Sequence, residues 1–201
     1  MSIPVSIDPL GTLGASPLPP GFKRAQYLRS DGQQGINTLL KADTLSRVML
    51  DVAFEERIGE RWNGAQSGGN NYRFSVLTTG NVYVRGAVQL AYSEDVYVGN
   101  ARVTIELTPT SFRVDDTVLP IEPGQGPHDD FYLFARNLSW TPGCNKQRLF
   151  AFKAWGEDGA LVADMVPAVR ESDGKPCMVD VLTGTPYYNV YSGEFTTNFD
   201  E

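Results

Sequence analysis

The residues of this chain that could do acid–base chemistry are few, and their spacing does not favour it. Asp51 and Glu55 stand four apart in DVAFEE, so on a strand they share one face. Paired carboxylates on a strand serve glycoside hydrolysis when they lie about 5 Å apart across a substrate. Here Met49 and Ala53 hold the positions where partner groups would help. Asp115-Asp116 and Asp129-Asp130 read as turn chemistry, because Asp bonds its own local backbone. His128 is the single histidine and lies in the loop PGQGPHDD. Zinc sites and His-based nucleophilic catalysis therefore have little to work with. Cys144 and Cys177 are the two cysteines, read as free thiols by default. No twelve-residue loop of alternating oxygen ligands is present. Asp158, Asp173 and Asp180 could serve a calcium site built from separate loops, but they read better as solvated turn carboxylates. The chain is expected to be no enzyme, with no cofactor and no metal.

Binding chemistry is better represented. An aromatic ring with a polar edge suits a sugar, whose C–H bonds stack on the ring while hydrogen bonds form at the rim. Trp62, Asn63, Tyr83, Arg85, Tyr92, Tyr97 and Trp140 fall near turns or opposite a stripe of valines. Together they are expected to form an adhesive, ligand-binding surface.

Those residues must be positioned by strands. Val48, Leu50, Val52 and Phe54 alternate with Met49, Asp51 and Ala53. The same period of two runs through Tyr72–Val76, Val82–Val88 and Val103–Leu107, and through Phe112 and Val114 into a tight turn at Asp115-Asp116. Further runs cover Phe131–Ala135, Arg148–Trp155, Leu161–Val166, Met178–Leu182 and Pro186–Val190. About a dozen short strands with regular turn signals mean an all-β sandwich or barrel. The nearest helical candidate is Leu39–Leu50, and its second half fits a strand better.

Composition agrees. The 201 residues include 20 glycines, 13 prolines and 22 aromatic side chains, a mixture suited to strands and turns. A chain of this length can bury about 70% of its unfolded surface without a staple. The net charge of −7 and the absence of a basic stripe speak against nucleic acid as a partner. No run approaches the roughly 20 apolar residues that span a bilayer. The first residues, MSIPVSIDPL, have no positive n-region, so no signal peptide is expected. Residues 1–17 read as an extended arm, rich in proline, whose Ile3, Val5, Ile7, Leu10 and Leu13 suit docking against a neighbour.

Residues 18–37, LPPGFKRAQYLRSDGQQGIN, resemble the opening of concanavalin A-like (laminin-G-like) jelly-roll modules of phage virion proteins and bacterial surface proteins. The likeness continues in order through Trp62–Ala65, YLFARN at 132–137, RLFAFKAW at 148–155, LVADMVP at 161–167 and MVDVLTG at 178–184. It implies a two-sheet antiparallel jelly-roll sandwich over residues 18–201, preceded by the arm. The chain departs from the family at Ala168 and Cys177, where Cys and Gly are usual, and it lacks the Glu-x-Asp-x-x-Glu strand of the glycosidase branch. The resemblance implies a structural protein displayed on the virion surface, as capsid decoration, head fibre or tail-associated protein. Its partners would be other virion proteins, with host or mucosal glycans and a homo-oligomer also in view. The alternatives are a free carbohydrate-binding module or adhesin and, more remotely, a glycoside hydrolase.

Overall fold

Each run of period two contains a described strand. The structure, a computed structural model, describes residues 17–55, 63–67, 70–76, 81–85, 90–97, 101–120, 128–135, 144 and 146–199, with backbone alone within 63–97 and at 119–120. The described residues form two antiparallel sheets and contain no α-helix. With strands numbered in chain order, the larger sheet runs β11 (Thr117–Pro120), β10 (Ser111–Val114), β9 (Arg102–Leu107), β4 (Leu45–Phe54), β13 (Lys146–Gly156), β14 (Leu161–Arg170), β15 (Pro176–Asp180), β16 (Pro186–Tyr187). Three short strands join it: β1 (Phe22–Arg24) on β14, β2 (Tyr27–Asp31) on β13, and β17 (Thr196–Asn198) on β2. The smaller sheet runs β3 (Ile36–Lys41), β12 (Asp130–Leu133), β5 (Asn63–Ser67), β6 (Asn70–Val76), β7 (Asn81–Arg85), β8 (Leu90–Tyr97).

The sheets share one core, in the manner of a β-sandwich. Leu50, Val52, Ile105 and Phe152 from the larger sheet cluster with Ile36, Phe131 and Leu133 from the smaller. Phe131 and Phe152 stack across the interface with ring centroids 5.7 Å apart. Burying one such side chain stabilises the fold by about 2–3 kcal/mol. On β9 and β12 these residues alternate with half-buried ones, and the same spacing fixes which side of each sheet faces outward.

Several boundaries differ from the sequence expectation for local reasons. The strand expected over Leu161–Val166 continues to Arg170, through Pro167. A proline fits there because β14 exchanges neighbours at that point, from β13 (last paired at Met165) to β1 (from Ala168), so no ladder donor is missed. The run Pro186–Val190 is a strand only over Pro186–Tyr187, since Asn189 turns the chain with its side chain. Asp115 and Asp116 make the expected two-residue hairpin turn, with Asp115 at φ 49°. In the stretch Leu39–Leu50 a single 3₁₀ turn, Ala42–Thr44, precedes β4.

A second small core lies under the start of the described chain. Leu18, Phe22 and Tyr188 cover Ala168, Cys177 and Val179 on β14 and β15. No described helix is long and apolar enough to cross a membrane.

Candidate functional site on the six-stranded sheet

Backbone register places a line of residues across all six strands of the smaller sheet. Asn37 pairs with Tyr132, Tyr132 with Gly64, Gly64 with Arg73, Arg73 with Arg85, and Arg85 with Leu90. Paired residues occupy the same side of a sheet. Phe131 and Leu133 are fully buried in the core, so the alternating position Tyr132, and the whole line with it, belongs to the outer side. Tyr83 and its partner Tyr92 occupy the next outer positions, two residues from Arg85 and Leu90.

Part of the expected binding set is brought together by backbone register. Tyr83, Arg85 and Tyr92 are neighbours in the β7–β8 ladder, and Tyr97 pairs with Asn81 at the end of β7, beyond a register shift. Asn63 pairs with Phe74 and so falls in the core-side register, away from the others. Trp62 and Trp140, and the arm residues Ile3, Val5, Ile7, Leu10 and Leu13, lie outside the described residues.

Two residues that sequence reasoning left out stand at the described end of the line. The Tyr132 ring stacks on Tyr191, with centroids 6.2 Å apart and planes 25° from parallel. Burial pushes the Tyr191 phenol up to about 12, with Tyr132 and Cys144 adding to the shift. Burial, then Asp130 and Asp129, likewise raises Tyr132. The pair therefore stays neutral and presents ring and hydroxyl. Neither stood out in the sequence, because Tyr132 sits in an apolar run and Tyr191 in a terminal loop.

The rim of this site is polar and internally satisfied. Lys41 Nζ lies 2.7 Å from one oxygen of Asp130, and Asn37 Nδ2 donates to the other at 2.8 Å. Burial would raise the Asp130 carboxyl, but the hydrogen bonds from Lys41 and Asn37 outweigh it and hold it below its usual range. Between the paired positions Asn37 and Lys41, β3 bulges. Leu39 sits at its tip at φ 61°, two-thirds exposed, with its N–H donated to Asn37 Oδ1. His128 pairs with Asp43 at 2.8 Å nearby.

A hydrogen-bonded knot fixes Tyr191. Asn189 Oδ1 accepts from the backbone N–H of Gly35 and Tyr191, while its Nδ2 donates to the carbonyls of Tyr191, Ser192 and Gly193. Gln34, fully buried, accepts from the Ser30 hydroxyl and the Asp31 N–H. A Cβ on Gly35 would come within 2.8 Å of both Ala135 and the Tyr191 ring, so only glycine fits. The SDGQQGIN segment that carried the family likeness thus does structural work.

The larger sheet uses its outer residues on one another. Asp51 is held by Arg102 through two hydrogen bonds of 2.7 and 2.6 Å, and that guanidinium lies 3.8 Å from the centroid of Phe150. Glu55 is shared by Arg29 and Arg148. Arg47 pairs with Glu106 and covers Trp155. The carboxylates first considered as a catalytic pair are therefore both engaged by arginines. Asp158 caps the Ala160 N–H, Asp173 pairs with Arg170, and Asp180 accepts from Asp164, Leu182 and Thr183. Among the described residues no group of three or more His, Cys, Asp or Glu is placed to hold a metal ion. Cys144 and Cys177 are free, and burial pushes each thiol up to about 12.

Compared with known proteins, the chain matches no family model, no curated protein and no solved structure.

Proposed function

We propose that this chain is a non-enzymatic, surface-displayed virion protein whose outer six-stranded face contacts glycans. The stacked Tyr132–Tyr191 pair, with Asn37 paired to Tyr132 on the neighbouring strand, carries this reading. Half-buried tyrosine rings beside an amide side chain suit sugar recognition, apolar on the ring face and polar at the edge. The two-sheet antiparallel architecture and the likeness of residues 18–37 to virion modules support the display role.

In this reading residues 1–17 are the attachment arm. Leu18 and Phe22, where the described chain begins, already pack on the outer side of β14 and β15, and the apolar residues upstream continue from there. The partners are other virion proteins at the arm and glycans at the sheet, and the site needs no cofactor.

A glycan array of the purified chain tests the sheet. Saturable binding to a defined glycan class, lost in Tyr132→Ala with an unchanged circular-dichroism spectrum, supports the reading. Silence across the array removes the glycan role and leaves a structural element. Deleting residues 1–17 tests the arm, with an unchanged melting temperature and failed incorporation into particles as the expected result.

A further inference from the structure

Two steps along β12, from Tyr132 to Asp130, are matched by four along β3, from Asn37 to Lys41. The register Leu133–Ile36 and Tyr132–Asn37, continued without a break, would set Leu39 opposite Asp130. The bulge instead leaves Leu39 two-thirds exposed and brings Lys41 to that place. Lys41 Nζ and Asn37 Nδ2 thereby converge on the two oxygens of one carboxylate. The arrangement holds a leucine at φ 61°, a conformation that disfavours any side chain. It is pinned by the Leu39 N–H on Asn37 Oδ1, the Leu40 N–H on Thr38 Oγ1 and the Thr38 hydroxyl on the Phe131 carbonyl. Bulges re-aim side chains, and strain kept in place by its surroundings points to a use for the residues it aims.

We infer that Asp130, Lys41 and Asn37 form a hydroxyl-reading subsite, and that the ligand of this face is a neutral saccharide presenting two adjacent free hydroxyls. The inference rests on the glycan-contact reading above and narrows it. Asp130 shares the outer side of β12 with Tyr132, since the buried Phe131 lies between them, and the two are about 7 Å apart along the strand. A sugar ring lying on Tyr132 can therefore turn its hydroxyl edge to the carboxylate. A carboxylate accepts about four hydrogen bonds, and Asp130 accepts from two groups, while the Lys41 ammonium and the Asn37 amide have further N–H groups. Each sugar hydroxyl can donate to Asp130 and accept from Lys41 or Asn37, so both of its functions are met by charge-assisted or amide bonds. Burial opposes ionisation of Asp130, but its two donors outweigh burial and the acceptor stays charged. Asp43, Asp129 and Asp130 all act on Lys41, and His128 meets only Asp43. Carboxylates thus outnumber cations here and repel a carboxylated or sulfated sugar.

The test is an array of neutral saccharides, each beside forms with one of two adjacent hydroxyls O-methylated, together with carboxylated and sulfated saccharides. It is probed with the full chain, Asp130→Asn, Lys41→Met and, as a control, Asp116→Asn from the exposed turn before β11. The parent is expected to bind neutral spots alone and to bind the O-methylated forms about tenfold or more weakly, as for a lost charge-assisted contact. Asp130→Asn is expected to bind the unmodified sugar as weakly as the parent binds the methylated one, and to treat both forms alike. Asp116→Asn leaves the signal unchanged. Lys41→Met, a change at a side chain 43% exposed, provides the same comparison should Asp130→Asn fail to fold. A merely structural Asp130 would weaken both forms by one factor and preserve the difference between them, which would overturn the subsite. Equal binding of free and O-methylated forms by the parent would also overturn it, and would leave the glycan reading standing. Acidic saccharides bound as well as neutral ones would overturn the assignment to a neutral sugar. Silence on every saccharide would overturn both the subsite and the glycan reading.

Discussion

The ring of Tyr132 on β12 stacks on that of Tyr191, which the sequence places 59 residues further on in the loop before β17. This contact joins the outer side of the six-stranded sheet to the terminal loop, and it makes the loop part of the site. Tyr132→Ala should abolish glycan binding while costing about 1 kcal/mol of stability, the scale of one aromatic pair. Tyr191→Ala should do the same to binding. Calorimetric titration with the glycan found on the array checks both, and unchanged affinity in either variant would remove that ring from the site.

Asn189 holds the loop through five hydrogen bonds. Asn189→Ala is expected to cost about 2 kcal/mol in urea unfolding, since a hydrogen bond nets about 1 kcal/mol and several are partly replaced by water. Gly35→Ala should cost about 1–3 kcal/mol through overpacking against Ala135 and Tyr191. An unfolding midpoint equal to the parent's in both variants would show that the knot is not what orders the loop.

Much of this organisation was legible in the sequence. Alternation located the strands because the inner side of each sheet is buried in the shared core. Alternation could not show that Asn63 belongs to the core-side register, because a one-residue step exchanges the sides and no apolar neighbour fixed it. Nor could it find Tyr191, whose role arises from a side-chain knot between the Gly35 turn and the terminal loop. Asp51 and Glu55 looked chemically available for the same reason: their arginine partners come from β9, β2 and β13, distant in sequence.

Arg102 shields Asp51, a residue 7% exposed in the sheet. Arg102→Ala leaves a largely buried carboxylate without its bidentate partner, which should cost about 2 kcal/mol. Arg102→Ala combined with Asp51→Ala should recover part of that loss. A double variant no more stable than the single one in denaturant titration would contradict the pairing.

Burial holds the Tyr191 phenol and both thiols up to about 12. Groups whose pKa is raised by folding contribute stability that is complete below their unfolded values, near 9 for the thiols and 10 for the phenol, and lost as pH rises through the folded ones. Urea midpoints should therefore hold steady up to about pH 9 and fall toward pH 12. Tyr191→Phe should reduce the fall. The thiols should resist a disulfide reagent near pH 8 in the folded protein and react at once in denaturant. Rapid labelling of Cys177 in the native chain would contradict its burial.

The central claim is that ligands meet the outer side of the six-stranded sheet. The most direct measurement is a backbone amide NMR titration of the intact chain with the glycan that the array identifies. The account predicts saturable shifts at Asn37, Tyr132, Arg73, Arg85 and Tyr191, with Arg102 and Glu106 on the other sheet unmoved. Shifts concentrated at Arg102, Glu106 and Trp155, with Tyr132 and Arg85 silent, would contradict it and move the site to the larger sheet.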